Sequence, residues 1–309
     1  MKHTILGAGG SIGNPLAYEL LKDKQDVRLV SRTNFSIEGA ESVKADLCSY
    51  DETFTAVKNS DVVYMCAGLP YNTKTWTELW PKVMQNTIDA CKKANSKLIF
   101  FDNVYMYGKV EGQMTEETPY KPCSKKGEIR AKIARNLENE IKNKNITASI
   151  ARAADLYGPY SMKTGMLHIL AIDKLMNGKS AQWMVDAHKA HSFTYTLDCA
   201  KSLVLLANRE DSFNQVWHLP TFNPAPDGEL MIELIAKELG LTPKYSVLKK
   251  WMVKMAGFFD KTVGELYEMQ YQNEFDYHFD STKFNTAFNY QPVSYEKGIH
   301  ETIEYLRTL

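Results

Sequence analysis

The chain has 309 residues, 44% apolar and 24% charged, with 17 glycines and 11 prolines. These proportions exclude collagen-like, disordered and linker-array classes, and at about 150 residues per domain the length predicts two domains, or one with an appended lobe. Lysine plus arginine number 37, as do aspartate plus glutamate, so the basic field of a nucleic-acid binder is absent and nucleic acid is not an expected partner.

Five cysteines (Cys48, Cys66, Cys91, Cys123, Cys199) are odd in number and widely spaced, with no CxxC pair. They predict reduced thiols in a cytoplasmic chain and no metal site. The longest apolar run, Val62 to Leu69, is far too short to span a bilayer, and no membrane partner is expected. Glycines arrive by position 7, leaving no room for an export signal.

Up to about residue 152, β-branched runs alternate with amphipathic stretches. HTIL predicts a first strand and PLAYELLK (15–22) a helix. Strands follow over DVRLVS (26–31) and ESVKA (41–45), then a helix over 51–58 and a strand over DVVYMC (61–66). A long helix over 77–94, the strand KLIFF (97–101), a helix over 127–143 and the strand ITASIA (146–151) complete the series. This alternation predicts an α/β, Rossmann-type doubly wound parallel sheet. Beyond it, Pro- and Gly-rich turns and helices predict a smaller, mostly helical C-terminal lobe. HSFTYTLDCAKSLVLLAN (191–208) reads as a strand and helix returning to the first layer. The division expected is residues 1–165 with 191–219 as the sheet domain, and 166–190 with 220–309 as the smaller lobe.

GAGGSIG places Gly7, Gly10 and Gly13 at three-residue spacing between the first strand and the first helix. Small residues let the backbone turn tightly and approach a pyrophosphate, whose charge meets free N–H groups and the positive end of the helix. The pattern predicts a bound dinucleotide. At the end of the second strand, where a carboxylate would take the ribose hydroxyl, stand Ser31 and Arg32. A guanidinium suits a 2′-phosphate, which favours NADP over NAD.

These features resemble the extended short-chain dehydrogenase/reductase group, the NAD-dependent epimerase/dehydratase family. GAGGSIG is similar to its GxxGxxG, Asp46-Leu47 to its adenine-side pair and MCAGLP (65–70) to the small-residue turn after its fourth strand. VYMYG (104–108), ARAADLYGPY (151–160) and SFTYTLDCA (192–200) resemble its later motifs. The resemblance implies cofactor contacts from Gly7, Gly10, Ser11, Ile12, Gly13, Asp46, Leu47, Ala67, Gly68 and Ala153, beside Arg32 and Arg130. It also implies a soluble enzyme of oxidoreductase or isomerase type.

The chain departs from the family at the chemistry. Where the family has Ser or Thr after strand five, Asn103 stands; where it has YxxxK, Lys126 and Arg130 stand, so the chain resembles an atypical branch. Lys126 then reads either as a proton donor or as a solvated charge at a helix start. As a donor it would feel a like charge one turn away and the positive helix end, with Arg130 taking the ribose contact and Asn103 polarising a carbonyl. Tyr105 is the alternative acid/base and Tyr107 a less favoured one.

His191 occupies the place where nucleotide-sugar members carry an arginine, which weakens the expectation of a diphosphate substrate. Asp186, His188 and His191 form DxHxxH, read as a hairpin loop and not a metal site. Trp251, Met252, Met255, Phe258 and Phe259 predict a core-facing helix roofing the cleft, with membrane contact as the other reading. Trp76 and Trp80 suggest buried packing, or a homodimer face if the long helix pairs with a copy of itself. The expected activity is NAD(P)-dependent redox or isomerisation of a sugar, polyol or small carbonyl compound; the alternative is a non-catalytic NAD(P)-binding sensor.

Overall fold

The computed structural model describes all 309 residues. The N-terminal half runs β1 (Lys2–Leu6), α1 (Gly13–Lys22), β2 (Asp26–Ser31), β3 (Glu41–Lys44), α2 (Tyr50–Val57), β4 (Val62–Met65), α3 (Thr73–Ala94) and β5 (Lys97–Asp102). Then come β6 (Gln113–Met114), α4 (Lys125–Lys142), β7 (Ala148–Arg152), β8 (Asp155–Tyr157), α5 (Asp173–Met176), β9 (Ala181–Met184), β10 (Phe193–Tyr195), α6 (Thr196–Ala207) and β11 (Val216–His218). The chain ends with α7 (Gly228–Glu238), β12 (Tyr245–Leu248), α8 (Lys250–Ala256), α9 (Lys261–Leu266), β13 (His278–Phe279), α10 (Thr282–Phe288) and α11 (Tyr295–Arg307).

Seven parallel strands form the central sheet in the order β11-β7-β5-β4-β1-β2-β3. Successive side chains of a strand face opposite ways, so β1 sends Ile5 to one core and Leu6 to the other, and β4 divides Val62 and Tyr64 from Val63 and Met65. Ile5 and Tyr64 meet Leu16 and Leu20 of α1 and Leu203 of α6. Leu6 and Met65 meet Met84 and Ile88 of α3 and Ile133 of α4. Helices therefore cover both faces, as the alternating sequence requires.

Helix starts follow their caps. Asn72 accepts from Thr75 N at 3.0 Å and starts α3 four residues before the periodicity suggests; Ser124 accepts from Gly127 N at 3.0 Å and starts α4. The 191–208 stretch divides between two neighbours: β10 pairs with β8 outside the central sheet, while α6 packs beside α1 in one core. The seventh strand is instead Val216–His218, paired with β7.

Two buried histidines give the fold an acid sensitivity. Burial, then the N-terminal ammonium, pushes His3 down to about 4; burial, then Arg152, pushes His218 down to about 3. Both stay neutral in the folded state while the unfolded chain takes up protons near pH 6.5. The folded state binds fewer protons below that pH, so stability is full above about 6.5 and is lost as the pH falls toward 4. The slope is about 1.4 kcal/mol per pH unit for each histidine. Urea midpoints should therefore fall measurably between pH 6.5 and 5, above the main carboxylate range; a flat profile there would contradict these burials.

Candidate functional site

The β1–α1 turn is built on contact. Gly7 has φ +98°, and a Cβ there would lie 2.4 Å from Ala67 Cα, so the turn presses directly on the loop after β4. At Gly13 a Cβ would meet Gly7 O at 2.5 Å, which lets the helix start against the strand end. Ile12, at the N-cap of α1, provides no side-chain cap. The N–H groups of Ser11, Ile12 and Gly13 donate to no backbone carbonyl, and Ser11 and Ile12 line a cavity. Bare donors at a helix start, with glycine allowing close approach, suit a pyrophosphate.

This turn sits where chain order reverses between β1 and β4, at the carboxyl ends of the strands, the place where open α/β sheets bind ligands. Two cavities meet there and share Gly10, Ala67, Gly68, Leu69, Trp80 and Thr164, making one continuous groove. The outer one, about 430 Å³, is lined by Ser31, Arg32, Asp46 and Leu47 among others. Arg32 is exposed and in none of the ion pairs. Asp46 Oδ1 accepts from Cys48 N at 2.9 Å. The inner one, about 300 Å³, is lined by Tyr71, Trp76, Asp102, Asn103, Tyr105, Arg130, Ala153 and Asp155.

Asn103, Tyr105 and Arg130 thus share the inner cavity, while Lys126 is not among its lining residues. Asn103 Oδ1 accepts from Tyr105 N at 3.1 Å, which leaves the amide Nδ2 for a ligand. Tyr105 stacks on Trp76 with centroids 6.3 Å apart. Burial, then the negative charge of Asp155, pushes its phenol up, only partly offset by Tyr71 and Arg130. It is a neutral phenol at ordinary pH.

Lys126 corrects both readings of its role. Its side chain is fully buried, and Nζ meets Glu265 Oε2 at 2.6 Å, Glu268 Oε1 at 2.8 Å, Thr73 Oγ1 at 2.9 Å and Glu265 O at 3.0 Å. Four acceptors surround three protons. The expected like-charge environment is replaced by two carboxylates, and the residue ties α3, α4 and α9 together. Burial acts to raise the Glu265 carboxyl, but hydrogen bonds from Lys126 and Thr73 outweigh it and hold it below the usual range.

Arg130 reaches the groove, but its Nε donates to Asp102 Oδ1 at 2.8 Å and Nη2 donates to the same oxygen. Its guanidinium lies 4.5 Å from the Trp80 ring centroid. Asp102, absent from the sequence reasoning, is therefore the organiser of this wall. Its other oxygen faces Arg152 Nε at 3.8 Å. From Arg152 a buried relay continues: Nη1 donates to Tyr107 Oη at 2.7 Å, and Tyr107 lies 2.8 Å from His218 Nε2. His218 Nδ1 lies 2.8 Å from the Asp280 carbonyl, which only accepts, so Nδ1 carries the proton and Nε2 accepts from Tyr107. Tyr107 is thus part of the frame and not a second acid/base. An aspartate ending an apolar strand was the only signal that KLIFFD offered.

Other expectations fall differently. Trp76 and Trp80 are 5% and 2% exposed and form the cavity wall, so they offer no face to a second copy. The DxHxxH residues lie in the loop between β9 and β10, as expected: Asp186 Oδ1 accepts from His188 N at 3.0 Å, His188 Nδ1 lies 3.5 Å from Glu229 Oε2, and His191 Nε2 meets Asp155 Oδ2 at 3.0 Å. The helix expected to roof the cleft with its apolar side is instead short, and Trp251, Met252, Met255, Phe258 and Phe259 face solvent. Of α8, only Val253 is buried, because the segment is anchored through α9 and not through its own apolar face.

The parallel sheet, the switch point and the bare helix start define a Rossmann-type dinucleotide-binding protein. The profile of the NAD-dependent epimerase/dehydratase family matches residues 3–219, and the chain belongs to that family. An uncharacterised UDP-glucose epimerase of Bacillus subtilis strain 168 is 24% identical over 235 residues, covering 68% of this chain and 73% of the relative. Sterol-4-alpha-carboxylate 3-dehydrogenase, decarboxylating, of Homo sapiens is 24% identical over 259 residues, covering 79% and 68%. Among solved structures, UDP-glucuronic acid 4-epimerase from Bacillus cereus with UDP-glucuronic acid and NAD has a TM-score of 0.83 at 21% identity, covering 100% of this chain and 99% of that one. UDP-glucose 4-epimerase of Thermus thermophilus with NAD has a TM-score of 0.81 at 16% identity, covering 99% of each. At such identities the structural likeness speaks to the fold.

Proposed function

We propose that this protein is an NAD(P)-dependent oxidoreductase or isomerase of the epimerase/dehydratase type, acting on a sugar, polyol or small carbonyl compound without a diphosphate. The observation that carries the reading is the single groove running from the bare N–H groups of α1 to Asn103 and Tyr105. When bound, the nicotinamide dinucleotide supplies hydride transfer. Ser11, Ile12 and Gly13 hold the pyrophosphate through main-chain N–H groups. Tyr105 moves the proton at its hydroxyl, and Asn103 Nδ2 donates to the substrate oxygen. Residues 1–165 with 191–219 form the cofactor half, and 166–190 with 220–309 the substrate half.

The substrate class follows from charge. The cavity next to the inner one, sharing Asp155 with it, is lined by Met166, Leu167, Leu170, Trp183, Met184, His191, Phe193 and Asn273. It has neither lysine nor arginine, and Arg130 is held by Asp102. Nothing there neutralises a diphosphate.

At the outer end, Arg32 favours NADP. Charge-assisted hydrogen bonds to a 2′-phosphate contribute about 1.5–3 kcal/mol, so Arg32→Ala should weaken NADPH about tenfold or more and leave NADH nearly unchanged. Fluorescence titration with both nucleotides checks this; equal losses would remove Arg32 from the specificity. Carbonyl compounds and UDP-glucose, incubated with NADPH while nicotinamide absorbance is followed, test the activity itself.

One observation favours a second reading, a non-catalytic NAD(P)-binding sensor. Lys126 and Arg130, at the family's YxxxK positions, are both engaged by carboxylates. Tight nucleotide binding with no turnover across the panel would select it.

A further inference from the structure

The α8–α9 hairpin carries an apolar surface that neither the fold nor the groove uses. Trp251 is 67% exposed, Met255 52%, Phe258 75% and Phe259 89%, with Met252 beside them at 38%. The hairpin is tightly closed: a Cβ on Gly257 would lie 2.7 Å from Gly264 Cα. Its base is fixed by Val253, which is buried, and by Glu265 with its neighbour Glu268, which hold Lys126. The five large side chains are therefore presented outward by an anchored support. Around them the charge is one-sided. Residues 244–261 contain Lys244, Lys249, Lys250, Lys254 and Lys261 against the single Asp260. Lys250 is paired with Glu274, which leaves the exposed Lys244, Lys249, Lys254 and Lys261 unpaired in a chain whose total charge balances.

We propose that this hairpin docks the protein on an anionic lipid bilayer. An exposed apolar surface on an anchored hairpin needs a partner that closes over it, and acyl chains do so without a preformed pocket. Exposed Trp and Phe interspersed with exposed lysines suit a bilayer interface, where apolar groups enter below the headgroups and lysine ammonium groups reach the phosphates. Each lysine near an anionic surface adds attraction, and several act together. No helix of this protein is long and apolar enough to cross a membrane, and a peripheral contact of this kind needs none.

The test uses the full-length protein with vesicles of phosphatidylcholine alone or with one quarter phosphatidylglycerol. The protein should sediment with the anionic vesicles and much less with the neutral ones. Trp76, Trp80, Trp183 and Trp217 are at most 6% exposed, so Trp251 dominates any response to solvent. Its emission should shift to shorter wavelength on binding, a readout that requires no mutation. Replacing Phe258→Ser with Phe259→Ser should lower the partition coefficient about tenfold or more at unchanged Tm, and Lys254→Glu with Lys261→Glu should abolish the preference for phosphatidylglycerol. Wild-type protein left in the supernatant, or phenylalanine variants that partition unchanged, would overturn the proposal. So would a wild-type dimer dissolved by those same variants without vesicle binding, which would assign the surface to a second copy.

Discussion

Tyr105→Phe is expected to lower kcat about 10²–10⁴-fold, the usual contribution of a positioned proton donor, while the Kd for NADPH changes little. The change removes one hydroxyl and keeps the ring that stacks on Trp76, so the cavity wall survives. Tyr105 is the candidate because it lines the inner cavity with Asn103, and because burial and Asp155 keep its proton in place. A carbonyl oxygen gaining electron density needs a donor that still holds its proton. Lys126→Ala is the informative control: that ammonium is enclosed by Glu265, Glu268 and Thr73, so its loss should appear as a lower Tm. If Tyr105→Phe turned over normally and Lys126→Ala did not, the assignment of the proton donor would reverse.

The largest stability effect is expected at Asp102. Its side chain is buried, one oxygen takes both Nε and Nη2 of Arg130, and the other lies 3.8 Å from fully buried Arg152. Asp102→Asn keeps the shape, removes the negative charge and points an N–H₂ group at guanidinium donors. Breaking a buried ion pair by removing one partner costs about 3–5 kcal/mol, because the remaining charge is left uncompensated. In a chain of this length that should lower Tm by roughly 5–8 °C. The contrast is Glu210→Gln, which breaks an ion pair between Lys97 and a glutamate side chain that is 83% exposed and should change stability by less than about 1 kcal/mol. Thermal melts of the two variants side by side would settle it; similar small shifts would mean that Asp102 is not what holds the two arginines.

Much of the fold was legible because it rests on short-range patterns. The alternation of Ile5 and Leu6, or of Val63 and Tyr64, already states that β1 and β4 are buried on both faces. Val216–His218 escaped because three residues carry no period and are strands only by pairing with β7. The glycine turn was legible for a similar reason, since backbone approach demands glycine wherever it occurs. The side chains around the proton-transfer site were not. Spacing shows that Lys126 and Arg130 share a helix face, but their charges are answered by Asp102 on a neighbouring strand and by Glu265 nearly 140 residues later. Likewise, an amphipathic pattern at Trp251 to Phe259 cannot state which side will meet the core. That depends on where α9 is tied, a tertiary fact.

The Ser11 hydroxyl and the Thr164 hydroxyl are 2.7 Å apart and join the first glycine turn to the loop after β8. Thr164 borders both parts of the groove, and Ser11 borders the inner part. The bond therefore ties together two segments of the groove wall that are far apart in sequence. A single bond between two neutral hydroxyls contributes only about 1 kcal/mol, so this part of the wall is held far more loosely than the Asp102–Arg130 side.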